Sequence, residues 1–229
     1  MLWTNAVLCH PYRDMKIAIL GATGFVATPI VQEAVGRGHH VTALSRTPSK
    51  VPQHPLITAV PADVFDVPSL VAAFRGQDAI IHSYAPAREG TIEERCAAQR
   101  TATENIVTAM KEAGVPRILA VGGAGTLEVE PGVRFMDHAS FPPAWQGGAQ
   151  STAQVKEVLK HSTGINWTYL SPPYYLQPGE RTRHFRLGLD ELLRDEKGES
   201  RITVGDYAIA MIDELETPRH TGRRFTVAY

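Results

Sequence analysis

Two glycines and an alanine, Gly21, Gly24 and Ala27, follow the first apolar run of the chain at three-residue spacing. The run over 16–20 predicts a buried strand, and the apolar spacing after Ala27 predicts a helix. In such a unit Gly21 permits a sharp turn, Gly24 leaves room for a phosphate, and Ala27 lets the helix pack closely on the sheet. Backbone N–H groups at the helix start attract anions. The spacing therefore predicts a pyrophosphate site for a dinucleotide, with Gly21, Thr23, Gly24, Phe25 and Val26 as candidate residues.

The end of the second predicted strand carries a positive side chain, Arg46, between the hydroxyl groups of Ser45 and Thr47. An acidic residue at this place accepts a hydrogen bond from the ribose 2′-hydroxyl of NAD and repels a 2′-phosphate. A guanidinium pairs with a phosphate instead, and the hydroxyl groups add donors. The pattern predicts NADP(H) in preference to NAD(H), with Lys50 as a second cation. The alternative is a solvated surface arginine at a strand end.

Strand and helix patterns alternate along the rest of the chain, which is typical of an α/β fold with a doubly wound parallel sheet of the Rossmann type. A single NAD(P)-binding domain is predicted over 16–229, with a small C-terminal substrate-side excursion over 177–200 and an N-terminal extension over 1–15. The predicted strands are 16–20, 40–45, 56–60, 78–82, 117–121, 166–170 and 224–228, and the predicted helices are 27–35, 67–74, 93–112, 151–161 and 204–215.

The composition of the 229 residues disfavours several classes of partner. The formal net charge is −1, and the Lys and Arg residues are scattered, so no nucleic-acid surface is expected. The chain has no apolar run long enough for a membrane span or a secretory signal, so no membrane partner is expected. Its two cysteines, Cys9 and Cys96, suit neither a disulfide framework nor a zinc site. We therefore expect no metal and a reducing, cytoplasmic location.

Four motifs at predicted strand ends carry a family resemblance: GATGFVA over 21–27, HSYA over 82–85, VGGAGT over 121–126 and YLSPP over 169–173. Together they resemble the atypical short-chain dehydrogenase/reductase superfamily. Within it the chain is most similar to the NmrA-like and biliverdin/flavin-reductase-type branch, particularly the bacterial NADH-flavin reductases. The segment GDYA over 205–208 is similar to a late motif of that subgroup.

The resemblance implies further nucleotide contacts at the strand ends. Asp63 would accept a hydrogen bond from the adenine amino group and Val64 would pack on the ring, although Asp63 would also suit a helix N-cap. His82 would lie near the nicotinamide ribose, with a hydrogen-bonded core histidine as the alternative. The remaining implied cofactor contacts are Ser83, Tyr84, Gly122 and Gly123.

Two departures from the superfamily concern catalysis. Members with alcohol chemistry carry a Tyr-x-x-x-Lys pair, in which the lysine lowers the pKa of a tyrosine acid/base, whereas this chain has Thr152 and Lys156. The serine that polarises a carbonyl group after the fifth strand is replaced by Gly122, Gly123 and Ala124. Carbonyl–alcohol redox chemistry by that triad is therefore not expected. Epimerase and dehydratase chemistry, which needs the same tyrosine, is disfavoured as well.

Tyr174 and Tyr175 follow the sixth strand and would stack on a planar ring, or else pack within a Pro-rich turn. No catalytic residue is assigned, and the other substrate-side candidates are His138 and Lys156, with Arg181 and Arg183 as weaker ones. We predict an NADPH-dependent oxidoreductase that transfers hydride to a flavin or a similar planar acceptor, because a flavin accepts hydride without a Tyr–Lys pair. The alternative is an NmrA-like redox-sensing regulator that binds NADP(H) without turnover. The sequence leaves the acceptor and the oligomeric state open.

Overall fold

The computed structural model describes residues 13–229, so most of the predicted N-terminal extension lies outside the described residues. The strands are β1 (Lys16–Leu20), β2 (His40–Ser45), β3 (Ile57–Pro61), β4 (Ala79–His82), β5 (Arg117–Val121), β6 (Glu128–Glu130), β7 (Val133–Arg134), β8 (Asn166–Ser171), β9 (Tyr175–Gln177), β10 (Arg186–Gly188), β11 (Arg201–Thr203) and β12 (Arg223–Ala228). The helices are α1 (Ala27–Gly36), α2 (Val67–Phe74), α3 (Ile92–Ala113), α4 (Gln146–His161) and α5 (Val204–Glu216). Across 13–229, no helix is long and apolar enough to cross a membrane.

Eight strands form one twisted sheet in the order β10-β12-β8-β5-β4-β1-β2-β3. Neighbouring strands are parallel except for β10, which pairs antiparallel with β12 at the edge. The predicted doubly wound Rossmann fold is thus confirmed, with one edge strand that the sequence did not indicate. The chain runs outward in one direction from β1 to β3 and in the other from β4, so a crevice opens between their carboxyl ends.

Helices cover both faces of the sheet, which explains why its central strands are apolar throughout. In β1, Ile17 and Ile19 belong to the core formed with α1 and α5. The alternate residues Ala18 and Leu20 belong to the core formed with α2, α3 and α4. Because these central strands bury both faces, a polar side chain is tolerated mainly at the strand ends, where the crevice lies.

The helix starts differ in how their free N–H groups are satisfied. Thr91 and Glu94 form a reciprocal capping box at the start of α3, and the Asp66 carboxylate accepts a hydrogen bond from the Ser69 N–H at the start of α2. Helix α1 has no side-chain cap and no acidic residue in its first turn. Its N-terminus is therefore available for an anionic ligand.

One helix boundary corrects the sequence prediction. Helix α4 begins at Gln146 rather than at Ser151, because a 3-10 turn at Pro143–Trp145 leads directly into it. The excursion over 177–200, predicted as loops and short elements, contributes β10 to the main sheet. A short hairpin, β6 with β7, also precedes α4. These short elements carry too few residues for a periodic apolar pattern.

We expect Gly21→Ala to lower the free energy of unfolding by at least about 2 kcal/mol. Gly21 has a φ of +73°, and a Cβ atom there would lie 2.6 Å from the Ser83 carbonyl oxygen. Gly36 is the matched control, because it lacks a positive φ and a Cβ atom there would meet nothing within 4 Å. Gly36→Ala should leave stability unchanged or raise it by up to about 1 kcal/mol. Urea unfolding of both variants checks this, and equal stability would contradict it.

Candidate functional site

A groove with a volume of about 560 Å³ lies at the carboxyl ends of β1 to β4, where the strand order reverses. The parallel register places Leu20 of β1 opposite Leu44 of β2 and His82 of β4, so the residues after these strands meet at one edge. The predicted cofactor contacts that line the groove are Gly21, Thr23, Gly24, Ser45, Arg46, Asp63, Val64, Ser83 and Tyr84, together with Lys50.

The glycine turn forms the floor of the groove. The Gly21 N–H donates to the Leu44 carbonyl at 3.0 Å, and the Gly24 N–H donates to the Gly21 carbonyl at 2.8 Å. A Cβ atom on Gly24 would lie 3.1 Å from that same carbonyl oxygen. The backbone therefore makes a shallow cradle leading into the uncapped start of α1, and this fits a pyrophosphate group. The Phe25 and Val26 side chains do not line the groove, and Phe25 is exposed.

The cations after β2 face the groove without a carboxylate partner in the described part of the chain. Arg46 and Lys50 are exposed and line the groove. The buried Ser45 hydroxyl lies 3.2 Å from the Thr23 hydroxyl and accepts a hydrogen bond from the Thr47 N–H, so it joins the glycine turn to the Arg46 turn. Positive charge is therefore concentrated at the β2 end of the groove.

Asp63 is held by an Asx turn, in which its carboxylate accepts a hydrogen bond from the Phe65 N–H at 3.0 Å. The helix N-cap that was an alternative role for Asp63 belongs to Asp66. Val64 is buried beside it. The ring of Tyr84 contacts Phe65 edge-on, with the centroids 6.4 Å apart. Burial raises the pKa of Tyr84, with Arg46 opposing the change and Asp63 adding to it.

His82 lies beneath the groove rather than in its lining, so the core alternative describes it. Its Nδ1 accepts a hydrogen bond from the Tyr84 N–H, and its Nε2 lies 3.2 Å from the Thr103 hydroxyl, which itself donates to the Gln99 carbonyl. These partners suit a neutral ring with the proton on Nε2. Burial lowers the pKa of His82 to about 4. The neutral ring therefore fixes the path of the chain as it leaves β4.

A second cavity of about 680 Å³ lies at the carboxyl ends of β5 and β8, next to the groove along the sheet edge. The segment after β4 borders both spaces. Aromatic rings form much of its wall: Tyr174 lies 4.8 Å from Trp145, 5.2 Å from Phe135 and 4.3 Å from Tyr175, measured between ring centroids. The cavity therefore offers flat apolar surfaces to a planar ligand.

The two glycines after β5, predicted as cofactor contacts, do not line the groove. Gly123 lines the second cavity, and its N–H donates to the Tyr169 hydroxyl at 3.2 Å. Gly122 lines neither space, and a Cβ atom there would lie 2.5 Å from the Tyr169 ring. Burial raises the pKa of Tyr169 to about 12. This tyrosine is a fully buried packing group that also donates to the Thr152 carbonyl.

The other substrate-side candidates do not lie together in one space. Thr152 lines the second cavity, but its hydroxyl donates to the Gly148 carbonyl at 2.9 Å. Lys156, one turn later, lines neither space, and burial together with the positive charge of Arg224 lowers its pKa. His138 also lies outside both linings, with its Nδ1 2.8 Å from the Ser140 hydroxyl.

The weaker substrate-side candidates, Arg181 and Arg183, line neither space. The Arg181 guanidinium forms an ion pair with Glu33 of α1. Arg183 has a φ of +60°, and its N–H donates to Asp206. Both arginines therefore fasten the excursion to the helical layer.

Sequence reasoning missed most of the second cavity. Its wall includes Arg88, Arg95, Phe135, Phe141 and Trp145, from the segment after β4, α3 and the long connection between β5 and α4. The available signal was that connection itself, a loop-rich stretch of several aromatic residues among prolines and glycines. Across 13–229, no group of three or more metal-ligating side chains could hold a metal ion.

The comparison with known proteins agrees with a nucleotide site in the groove. A family model described as NAD(P)H-binding matches residues 21–215. "Uncharacterized protein YwnB" of Bacillus subtilis (strain 168) is 37% identical over 218 residues, which cover 93% of this chain and 98% of that protein. A solved structure of a "putative epimerase" from Bacteroides thetaiotaomicron has a TM-score of 0.86 at 37% identity, covering 95% of this chain and 98% of that one. A "putative NADH-flavin reductase" from Streptococcus pneumoniae TIGR4 has a TM-score of 0.81 at 31% identity, covering 93% and 99%.

We expect His82 to make the folded chain less stable in acid. Its pKa is about 4 when folded, against the ordinary value of 6.5. Between about pH 4 and pH 6.5, the unfolded chain therefore binds a proton at His82 that the folded chain does not bind. The stabilisation is fully present above pH 6.5 and is lost progressively as the pH falls toward 4, in total about 3 kcal/mol. Urea unfolding at several pH values should show a flatter pH dependence for His82→Gln than for the wild type. His40→Gln, at an exposed site, should keep the wild-type slope. An unchanged slope in His82→Gln would contradict the assignment.

Proposed function

This chain belongs to the NAD(P)H-binding family, in the NmrA-like part of the atypical short-chain dehydrogenase/reductases, and we propose that it is an NADPH-dependent reductase of flavins or similarly planar acceptors. The observation that carries the proposal is an aromatic-walled cavity directly beside a dinucleotide groove. The flavin-reductase name of one similar structure supports the same acceptor class.

The groove supports NADPH over NADH through charge. Arg46 and Lys50 stand at the β2 end, where an acidic residue would serve a ribose 2′-hydroxyl, and both are free of carboxylate partners within 13–229. The carboxylate that lines the groove, Asp63, belongs to the loop after β3 and is held in its own turn. A 2′-phosphate would therefore meet two cations at the site.

The second cavity supports an acceptor that needs no acid/base group. By the family resemblance, Thr152 stands where members with alcohol chemistry carry a tyrosine. Thr152 lines the cavity, Lys156 does not, and Tyr169 is fully buried. Partial burial and the hydrogen bond with Tyr175 raise the pKa of Tyr174. Another similar structure is named as an epimerase. Epimerase chemistry needs a general acid/base, and the residues that line the second cavity do not supply the usual tyrosine for it.

The contribution of the protein is orientation and exclusion of water. Gly21 and Gly24 hold the backbone open for the dinucleotide, and Tyr174 with Trp145 offers stacking surfaces to the acceptor. A nicotinamide held there would supply a hydride, and the acceptor would take up the hydrogen with its electron pair and be reduced as the nicotinamide is oxidised. Holding two rings at reacting distance provides much of the rate increase for such a step.

We expect the wild type to bind NADPH more tightly than NADH. Arg46→Ala should weaken NADPH binding by roughly 10- to 100-fold, since a lost hydrogen bond to a charged group is worth about 1.5–3 kcal/mol. Binding of NADH should change little. Isothermal titration of both nucleotides checks this, with Arg75→Ala as control because Arg75 is exposed and lines neither space. Equal affinities in the wild type would contradict the preference.

We expect NADPH oxidation to reduce FMN in a one-to-one ratio, followed anaerobically by the loss of absorbance of both compounds. Paired Tyr174→Ala and Tyr175→Ala substitutions should cut kcat/KM at least about tenfold by removing a stacking surface. Thr152→Ala and Lys156→Ala should cause smaller losses, because neither residue is proposed to transfer a proton. Removal of a general acid/base would instead lower the rate by about 10²–10⁴-fold.

Other results would favour other functions. A thousandfold loss of kcat in Lys156→Ala with silent tyrosine variants would favour acid/base chemistry on another substrate class. Tight NADPH binding without reduction of any planar acceptor would favour the redox-sensing regulator.

A further inference from the structure

Two cations line the second cavity, and the residues of its lining include no acidic side chain. Arg88 lies in the segment after β4, and Arg95 lies on the first turns of α3. The rest of the lining is aromatic, apolar or small, apart from the hydroxyl groups of Thr152 and the tyrosines. The cavity therefore carries net positive charge next to its stacking surfaces.

Arg95 is placed unusually for an arginine that is partly buried. Its Nε is buried and has no hydrogen-bond partner in the described part of the chain. Its guanidinium lies against the start of α4, where a Cβ atom on Gly147 would be 2.7 Å from Nη1. The Arg117 Nε is likewise buried without a partner, but the Arg117 guanidinium pairs with Glu214, as that of Arg224 pairs with Asp190. Arg95 has no such carboxylate partner in the described part of the chain. A guanidinium at a cavity that no carboxylate neutralises suits an anionic ligand.

Gly147 explains why Arg95 can reach this place. A side chain on Gly147 would collide with the guanidinium, whereas a Cβ atom on Gly148, which lines the cavity, would lie 3.9 Å from Nη2 in ordinary contact. The glycine at 147 thus leaves space for the Arg95 side chain along the helix start. Arg88 is exposed at the rim and has no carboxylate partner among residues 13–229. The pair presents one partly buried and one exposed cation to the same space.

We propose that the second cavity selects planar acceptors that carry an anionic group, a phosphate or a carboxylate, and that Arg88 and Arg95 bind this group while the aromatic wall binds the ring. This inference rests on the proposed reductase function and names its substrate class. Arginine suits the task because its planar guanidinium recognises phosphate and carboxylate groups through paired hydrogen bonds. FMN, with its 5′-phosphate, is then preferred to riboflavin, which has the same ring system and no charge.

Binding tests the inference without turnover. FMN and riboflavin are titrated into the full chain saturated with NADP⁺, and quenching of flavin fluorescence gives each Kd. FMN should bind at least about tenfold more tightly, which corresponds to about 1.4 kcal/mol. Arg95→Gln and Arg88→Gln should each weaken FMN binding about tenfold and leave riboflavin unchanged, whereas Arg95→Lys should retain part of the preference. Arg75→Gln removes the same charge elsewhere and should change neither Kd. Thermal melts establish that each variant is folded.

A second pair of probes separates the inference from the proposed function. 2-Naphthoate and its neutral amide, 2-naphthamide, are planar and cannot accept hydride readily, and Trp145 fluorescence reports their binding to the cavity. The naphthoate should bind more tightly in an Arg95-dependent manner. If this holds while no flavin binds or is reduced, the reductase function fails and the anion selectivity stands. Equal binding of the charged and neutral members of both pairs, unaffected by the arginine substitutions, would overturn the inference.

Discussion

The reversal of strand order between β1 and β4 is the constraint on which the site depends. The two strands pair in parallel, and their connections leave the sheet in opposite directions, so no crossover covers the space above their carboxyl ends. Gly21 makes this space usable, because the chain turns there in a left-handed conformation directly beside the Ser83 carbonyl. A side chain at Gly21 would push the two strand exits apart. The groove therefore depends on one close backbone contact.

Ion pairs and free cations are distributed differently over the molecule. Arg37 pairs with Glu33 and Glu216 between α1 and α5, and Arg117 pairs with the buried Glu214. These pairs join elements and lie outside the groove and the second cavity. The cations that line those two spaces without a carboxylate partner in the described residues are Arg46, Lys50, Arg88 and Arg95. Cations that are paired within the fold avoid the cost of an uncompensated buried charge, whereas unpaired cations at a cavity suit an anionic ligand.

Thr152 of α4 is part of the packing against the loop after β5. The Thr152 hydroxyl is used by its own helix, and its carbonyl accepts a hydrogen bond from Tyr169, which also supports the Gly123 N–H. Lys156 then lies near Arg224 instead of in a cavity. A Cβ atom on Gly123 would lie 3.3 Å from the Thr152 methyl group, so α4 packs closely against the loop after β5.

The sequence by itself determined the fold class, the main strands and helices, and the glycine turn, because each rests on local periodicity or on a backbone requirement within a few residues. It also indicated the positive charge of Arg46 at the end of β2, since strand ends in a parallel sheet share one edge. It left two roles open for His82, and burial with its Thr103 partner decided for the core. The second cavity was decided only by tertiary structure, because Arg95 of α3 meets Trp145 and Tyr174 from distant segments. Such a wall is assembled by packing between elements, and neither the spacing nor the composition of a single segment encodes it.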